Sequence, residues 1–503
     1  MIKILNTTQI RDADAYTILQ EPISSIQLME RAANAFVQQF LQDFPNTDKP
    51  IIVICGNGNN GGDGLAIARL LATRKYNVKT FILPSENYSK DCKTNLNNFK
   101  KQLKKNIKTI SSAEFISSYT PDTIIIDAIF GTGLNKPILK GSLAYSIIDT
   151  INKHAFKNVI SVDIPSGLFA DKNTTEISIN ATKTYTFQFP KLAFLFPENS
   201  KSVGSIKILN IQLHPDFIQQ ATTSYFLTQE KDISAILKPR ARFSHKGTFG
   251  HVLIIAGSYG KMGAAILSSK AALRSGAGLV SAYIPACGYT IFQTAFPEAM
   301  CITDKQQKQL SSFPNTGNYT AIAIGPGIGT SNTTTQAFIK FIKQLKTPVI
   351  IDADGLNILG KQKSILKLLP KNTILTPHPK EFERLVGKWE NDFERLKLQQ
   401  EFSKKHQVII ILKGANTSIT DIDGTVYFNT TGNAGMATGG SGDVLTGILV
   451  GLFAQGYSPM HTAMIGVYLH GLSGDIALKI QSMESLIASD IIEHLGSAFK
   501  TLQ

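Results

Sequence analysis

Short runs of β-branched and aliphatic residues recur along the whole chain, separated by stretches of helical composition. This alternation constrains the fold more than any other feature. In the first half the runs are Ile51–Cys55, Val78–Leu83, Thr123–Ile126, Val159–Val162 and Thr184–Phe187. In the second they are Val252–Ala256, Leu279–Ile284, Ala321–Ile324, Val349–Ile351, Thr373–Leu375 and Val408–Leu412. Most are apolar on both faces, as buried parallel strands are, and the gaps leave room for crossover helices. The pattern predicts an α/β protein with an open, mostly parallel sheet in each half. The stretch Leu213–Glu230 carries no glycine-rich turn and no strong apolar period. The boundary is placed there, giving domains 1–220 and 226–503.

With 503 residues, 43% hydrophobic and 17% charged, the chain has material for several large cores and too little charge for general disorder. The formal net charge of +14 suits phosphate-bearing partners without separating a nucleotide from a nucleic acid. No run of about 18 uncharged apolar residues exists, so no membrane span is expected. The first residues turn polar too soon for a signal peptide, and a cytoplasmic location is expected. Cys55, Cys92, Cys287 and Cys301 show no CxxC spacing, which indicates neither a zinc knuckle nor a disulfide framework. The lysine-dense segment Phe99–Ile107 reads as a solvated helix face.

In open α/β sheets ligands sit beyond the carboxyl ends of strands, so the residues that follow each run are the informative ones. Ile51–Cys55 leads into GNGNNGGDG, Gly56 to Gly64, followed by a helical stretch. The glycines admit a ligand close to the backbone, and the helix start offers free N–H groups to phosphate. The loop is neither GxGxxG nor a Walker loop. Its asparagine carbonyls are hard oxygen ligands, suited to an alkali cation. The next strand ends in DAIFGTGLNKP from Asp127, and the one after in DIPSG from Asp163. Either aspartate alone reads as a helix or turn cap, but polar residues at three strand ends read together as a site.

These three motifs, in this order and spacing, resemble the NAD(P)H-hydrate epimerase domain, also called the YjeF N-terminal domain. The resemblance implies a Rossmann-like three-layer α/β/α domain that interconverts the R and S hydrates of NADH and NADPH (NADHX and NADPHX) at C6. It implies that Asn60, Asp127 and Ser166 hold K+. Substrate contacts are implied for Asn59, Asn60, Gly61, Gly62 and Asp63, and for Gly131, Thr132, Gly133, Leu134, Asn135, Lys136 and Pro137. Asp163 is the implied acid/base residue. Lys191, after Phe189-Pro190, is read as a surface lysine, with a substrate contact as the alternative.

In the second half, glycines flank a strand-to-helix turn at Ser258-Tyr259-Gly260-Lys261-Met262-Gly263. GPGIG (Gly325 to Gly329), Asp352-Ala353-Asp354-Gly355 and Thr376-Pro377-His378-Pro379 each follow a strand. His378 is stiffened by the proline that follows it. The densest motif is Gly432 to Asp443, GNAGMATGGSGD. Gly439 to Gly442 are expected to form a nest of N–H donors for a transferring phosphate. Asp443, at the start of the next helix, is placed to take a hydroxyl proton while Mg2+ neutralises phosphate charge.

GSGD is similar to the ribokinase-like superfamily. KGTFGHVLIIAGS, GPGIG, TPHPKEF, KGANT and GMATGGSGDVLTG together resemble its ADP-dependent NAD(P)H-hydrate dehydratases, from about Phe226 to the end. The resemblance implies a ribokinase-like α/β domain. It places Ala256, Gly327, His378 and Asp443 at the hydrate, and Lys413, Gly414, Ala415, Asn416, Thr417 and Gly442 at the AMP part of ADP. It further implies a homo-oligomer, a tetramer or larger. One departure stands out: Ala434 occupies a position where the family usually has proline, so the loop loses preset stiffness.

Two other readings compete with a bifunctional repair enzyme. GSGD alone permits an ATP-dependent kinase of a small alcohol. The first half also permits a noncatalytic RNA- or protein-binding module, although its basic residues lack the aromatic interleaving of nucleic-acid platforms. No nucleic-acid partner is expected.

Overall fold

The computed structural model describes residues 1–103 and 107–503. Lys104 and Lys105, in the lysine-dense segment, lie outside the described residues. The chain divides into two compact units, Ile2–Thr223 and Ser224–Glu390 with Glu394–Gln503.

The strands of the first unit are β1 (Ile2–Lys3), β2 (Ile51–Cys55), β3 (Val78–Ile82), β4 (Ile107–Thr109), β5 (Ile124–Ala128), β6 (Asn158–Val162), β7 (Lys183–Phe187) and β8 (Ser205–Leu209). Seven form one sheet in the order β4-β3-β2-β5-β6-β7-β8, parallel throughout. Alternation along β2 shows why both faces need cover. Ile51, Val53 and Cys55 join one core with Phe36, Val37 and Phe40 of helix Ser25–Asp43 and Leu65 and Ile67 of helix Asn59–Thr73. Ile52 and Ile54 join another with Ile147, Ile148 and Ile151 of helix Leu143–His154. The result is a three-layer α/β/α unit. Strand order reverses between β2 and β5, which opens a crevice at their carboxyl ends. Those ends carry the GNGNNGGDG and DAIFGTG loops. In helix Lys90–Leu103, Phe99 is buried while Lys100 and Lys101 are exposed, the solvated face expected there.

The second unit contains β9 (Tyr225–Leu227), β10 (His251–Ile255), β11 (Leu279–Ile284), β12 (Met300–Thr303), β13 (Ala321–Ile324), β14 (Ile350–Ile351), β15 (Ile374–Leu375), β16 (Ile409–Leu412), β17 (Thr417–Thr420) and β18 (Val426–Asn429). Their order is β9-β18-β17-β16-β15-β14-β13-β10-β11-β12. From β16 to β12 the pairing is parallel, and its switch point lies between β10 and β13. Val252 and Ile254 pack with Ala265, Val444 and Ile448, on helices Met262–Arg274 and Ser441–Ala454. Leu253 and Ile255 face Phe338, Leu356 and Phe382 on the opposite side.

Two expectations need amendment. β17 is antiparallel to both β16 and β18, turning at Asp423-Gly424, where Gly424 has φ +86°. That two-strand excursion needs only a tight turn, so a reading tuned to crossover helices passes over it. The segment Leu213–Glu230 is also not a bare linker. Pro215–Gln220 is helical, and Tyr225–Leu227 pairs in parallel with β18, its Phe226 ring stacked on Tyr427 at 5.5 Å.

Candidate active sites at the two switch points

In the first unit, helix Asn59–Thr73 starts directly behind the glycine loop. The chain folds back so tightly that a Cβ on Gly61 would fall 2.0 Å from the carbonyl oxygen of Gly56, which excludes any side chain there. Beside the loop lies a cavity of about 890 Å³. Asn59, Asn60, Asp63, Gly131, Thr132, Gly133, Leu134, Asn135, Lys136, Pro137 and Asp163 line it. Gly61 and Gly62 are buried and stand outside that lining.

Asp127, the fourth residue of β5, is fully buried. Its Oδ1 accepts the Ser166 hydroxyl (2.5 Å) and the Ile129 N–H (3.3 Å), and its Oδ2 accepts the Ser161 hydroxyl (2.8 Å) and the Ser166 N–H (2.9 Å). Burial raises its carboxyl above the usual range, and these donors oppose the shift. Ser166 in turn accepts the N–H of Phe130 at 2.8 Å, which binds two of the predicted loops together. Asn60 is buried, yet among the described residues neither its Oδ1 nor its Nδ2 has a protein partner. Such an orphaned amide is costly unless a ligand or ion meets it.

Asp163 sits just beyond β6 at φ +65°, a strained conformation for a residue with a side chain. Its Oδ1 accepts Lys191 Nζ at 2.5 Å, the Phe187 N–H at 2.9 Å and the Thr186 hydroxyl at 3.2 Å. Lys191 is therefore not a surface residue. It is fully buried, with Nζ also donating to Thr186 at 2.7 Å and to the Phe189 carbonyl at 3.3 Å. The carboxylate neutralises an ammonium that burial would otherwise exclude. Sequence reasoning missed Asp14, on helix Thr7–Gln20, which lines the same cavity.

In the second unit, five strand-end turns and the start of helix Ser441–Ala454 converge. Ala256 follows β10, and the Gly257 N–H donates to the Pro326 carbonyl at 2.8 Å. The Ser258 hydroxyl donates to the Gly327 carbonyl at 2.7 Å. Asp354 Oδ2 accepts the Gly329 N–H at 2.8 Å. Asp352, buried after β14, accepts Lys413 Nζ at 2.9 Å and the Thr446 hydroxyl at 2.7 Å. Burial would raise Asp352, but Lys413 and these hydrogen bonds bring it below the usual carboxylate range. A Cβ on Gly442 would lie 3.4 Å from Lys413 Nζ, so the pair underlies the GGSG turn. Gly440 turns that loop at φ +90°. In the KGANT stretch only Lys413 reaches inward to Asp352, while Gly414 and Ala415 are exposed.

Asp443 lies in the first turn of helix Ser441–Ala454, and among the described residues no protein donor reaches its carboxylate. Burial first, then the charge of Asp352, raises its pKa to about 7; Lys413 opposes this and Asp354 adds to it. His378 caps helix Pro379–Val386, its Nδ1 accepting the N–H groups of Lys380 (3.1 Å) and Glu381 (3.4 Å). Burial lowers its pKa, and the nearby Lys413 adds to the effect. His470, also missed, is half-buried with Nε2 3.0 Å from the Ser441 carbonyl, and desolvation lowers its pKa to about 4. Beside Ala434, Asp475 ties down the loop. It accepts the Gly432 N–H at 2.9 Å and the Asn433 amide at 3.0 Å.

Two α/β units, each with carboxylates and glycine turns at its switch point, define an enzyme with two small-molecule sites. Residues 25–193 match the family described as YjeF-related protein N-terminus, and residues 252–496 the NAD(P)H-hydrate dehydratase family. A bifunctional NAD(P)H-hydrate repair enzyme of Moorella thermoacetica is 33% identical, covering 99% of this chain and 97% of its own. A ribokinase-like superfamily protein of Enterococcus faecalis is 28% identical over 56% of this chain and 98% of its own, with a TM-score of 0.50. An ADP/ATP-dependent NAD(P)H-hydrate dehydratase of Bacillus subtilis, co-crystallised with ATP/Mg2+, is 32% identical over 55% of this chain and 99% of its own, with a TM-score of 0.49. This chain belongs to the bifunctional NAD(P)H-hydrate repair enzymes, with an epimerase half and a dehydratase half. No helix among the described residues is long and apolar enough to cross a membrane.

Proposed function

We propose that residues 1–220 interconvert the R and S hydrates of NADH and NADPH, and that residues 226–503 dehydrate the S form at the expense of ADP. The observation that carries this reading is the Asp443 carboxylate, unpartnered beside a glycine turn and held near pKa 7. A base so poised suits removal of a hydroxyl proton at neutral pH.

In the dehydratase site Asp443 takes the proton of the C6 hydroxyl as that oxygen attacks the β-phosphorus of ADP, and AMP leaves. Phosphate then departs with the C–O bonding pair while the ring nitrogen lone pair forms a C=N bond. Loss of a C5 proton restores the dihydropyridine. Hydroxide is a poor leaving group and phosphate a good one, which is what the nucleotide contributes. Ala256, Gly327 and His378 border the hydrate, and Gly442 and the Lys413–Thr417 stretch border AMP. Among the described residues no cluster of three acidic, His or Cys side chains is built to hold a metal. Asp352 and Asp354 are already engaged. Mg2+, when bound with the nucleotide, would supply charge neutralisation to its phosphates.

In the epimerase site Asp163 moves the proton at the C6 oxygen, and residues 59–63 and 131–137 hold the hydrate. The buried, unpartnered Asn60 carbonyl fits an alkali cation, and Asn60, Asp127 and Ser166 would hold K+. When bound, K+ supplies fixed positive charge to the substrate. The family resemblance supports a cytoplasmic homo-oligomer, four subunits or more, acting on NADHX and NADPHX.

Two outcomes test this reading. Incubation with NADH hydrate and ADP returns absorbance near 340 nm, with one AMP released per NADH formed. A stable phosphorylated alcohol, made from ATP with no return of NADH, would favour the small-alcohol kinase reading. The pH dependence follows from Asp443. Its carboxylate form is the active one, so dehydratase kcat/KM rises about tenfold per pH unit below about 7 and levels off above. A profile flat from pH 5 to 8 would contradict Asp443 as the base.

A further inference from the structure

Resting on the epimerase reading of the first unit, we infer that Asp14 is its second proton-transfer residue, working with Asp163 on the same substrate. Ile10, Asp14 and Ile18 all line the cavity, at i, i+4 and i+8 of helix Thr7–Gln20, so one stripe of that helix faces it. Arg11 borders the cavity from the same helix, Asp14 is the acidic residue set between Ile10 and Ile18, and Leu28, Ile211 and Leu213 extend the apolar lining. Among the described residues no hydrogen bond or ion pair holds the Asp14 carboxyl. A purely structural stripe would place an aliphatic residue here, because a partially buried carboxyl without a partner costs stability.

The environments of the two carboxyls differ in the sense the chemistry requires. Asp163 Oδ1 accepts three donors, Lys191 among them, an arrangement that suits a proton acceptor. The pKa of Asp14 is raised to about 7 by burial first and then by the Asp163 charge, with Lys191 opposing. Asp14 thus carries a proton to give at neutral pH, while the hydrogen-bonded Asp163 carboxylate faces the same cavity to receive one.

Inversion at C6 needs both. As the C6–O bond breaks, its electron pair goes to oxygen, which takes the Asp14 proton and leaves as water. The ring nitrogen lone pair forms the N1=C6 bond. Water then adds to the other face of C6, its proton passes to Asp163, and the π electrons return to nitrogen. The water consumed equals the water released. The reverse direction exchanges the two roles, and proton exchange with solvent resets the pair.

The test uses the full chain without ADP, so that only R-to-S conversion is followed, by separation of the epimers. Asp14→Asn is expected to lower epimerase kcat by about 100-fold or more, while ADP-dependent dehydration of the S hydrate stays at the wild-type rate and certifies the fold. In Asp14→Ala, added formate is expected to restore epimerisation in proportion to its concentration, a rescue that a packing role would not show. Epimerase activity within threefold of wild type in Asp14→Asn, or an Asp14→Ala variant unresponsive to formate and acetate, would overturn the assignment. A wild-type chain that converts the epimers no faster than buffer would instead overturn the epimerase reading itself.

Discussion

Replacing Asp443 by asparagine is expected to lower dehydratase kcat by about 10³- to 10⁴-fold, the upper range for loss of a general base. Epimerisation by the same protein is expected to continue at the wild-type rate. The substituted amide keeps the shape of the side chain and the helix start, but it cannot accept the hydroxyl proton. Stability moves the other way. The Asp443 carboxyl rises from 3.8 to about 7 on folding, so ionising it in the folded state costs stability. That cost is absent below the unfolded value, grows between pH 3.8 and about 7, and is constant above. The asparagine variant is therefore expected to melt higher than wild type at pH 8 and to match it at pH 3. A dehydratase rate within tenfold of wild type would remove Asp443 from the chemistry.

The second large effect is expected from Asp163→Asn, with epimerase kcat falling about 10³-fold and dehydration of the S hydrate intact. Here the structural consequence is opposite in sign. Lys191 is fully buried and loses its only ion-pair partner among the described residues. An uncompensated buried ammonium is strongly destabilising, so this variant is expected to melt below wild type. Adding Lys191→Met removes that charge. The double variant is expected to recover thermal stability and to remain inactive as an epimerase, which separates charge balance from catalysis.

The strands that build both switch points were readable because parallel strands covered on two faces are almost wholly apolar, Asp127 of β5 being an exception. Ile51–Cys55 and Ala321–Ile324 are apolar at every residue. The turns after them were readable because backbone curvature demands glycine there, as the 2.0 Å approach at Gly61 shows. Edge elements left weaker marks. The outer strand Ser205–Leu209 is exposed or half-buried up to Leu209, and β9 has three residues and β14 two, too few for a period to register.

Side chains that reach a site from elsewhere in the chain were the least legible. Lys191 looks like any loop lysine until β6 and β7 bring Asp163 to 2.5 Å from it. Asp14 sits mid-helix, far from any strand-end glycine loop, and only tertiary packing turns its stripe toward the cavity. His470 is 29 residues from Ser441 and meets it through the packing of two helices. Long-range convergence leaves no local pattern, whereas strand and turn chemistry does.

The central claim is that one chain carries two active sites acting on the same damaged cofactor. Recovery of NADH from an equal mixture of R and S hydrates with ADP tests it most directly, followed to completion with wild type and Asp163→Asn. Wild type is expected to return all the NADH in one smooth course. The variant is expected to return half at the wild-type rate and then slow to the spontaneous rate of epimerisation. Full recovery by Asp163→Asn at the wild-type pace, or a wild-type course that stops at half, would contradict it.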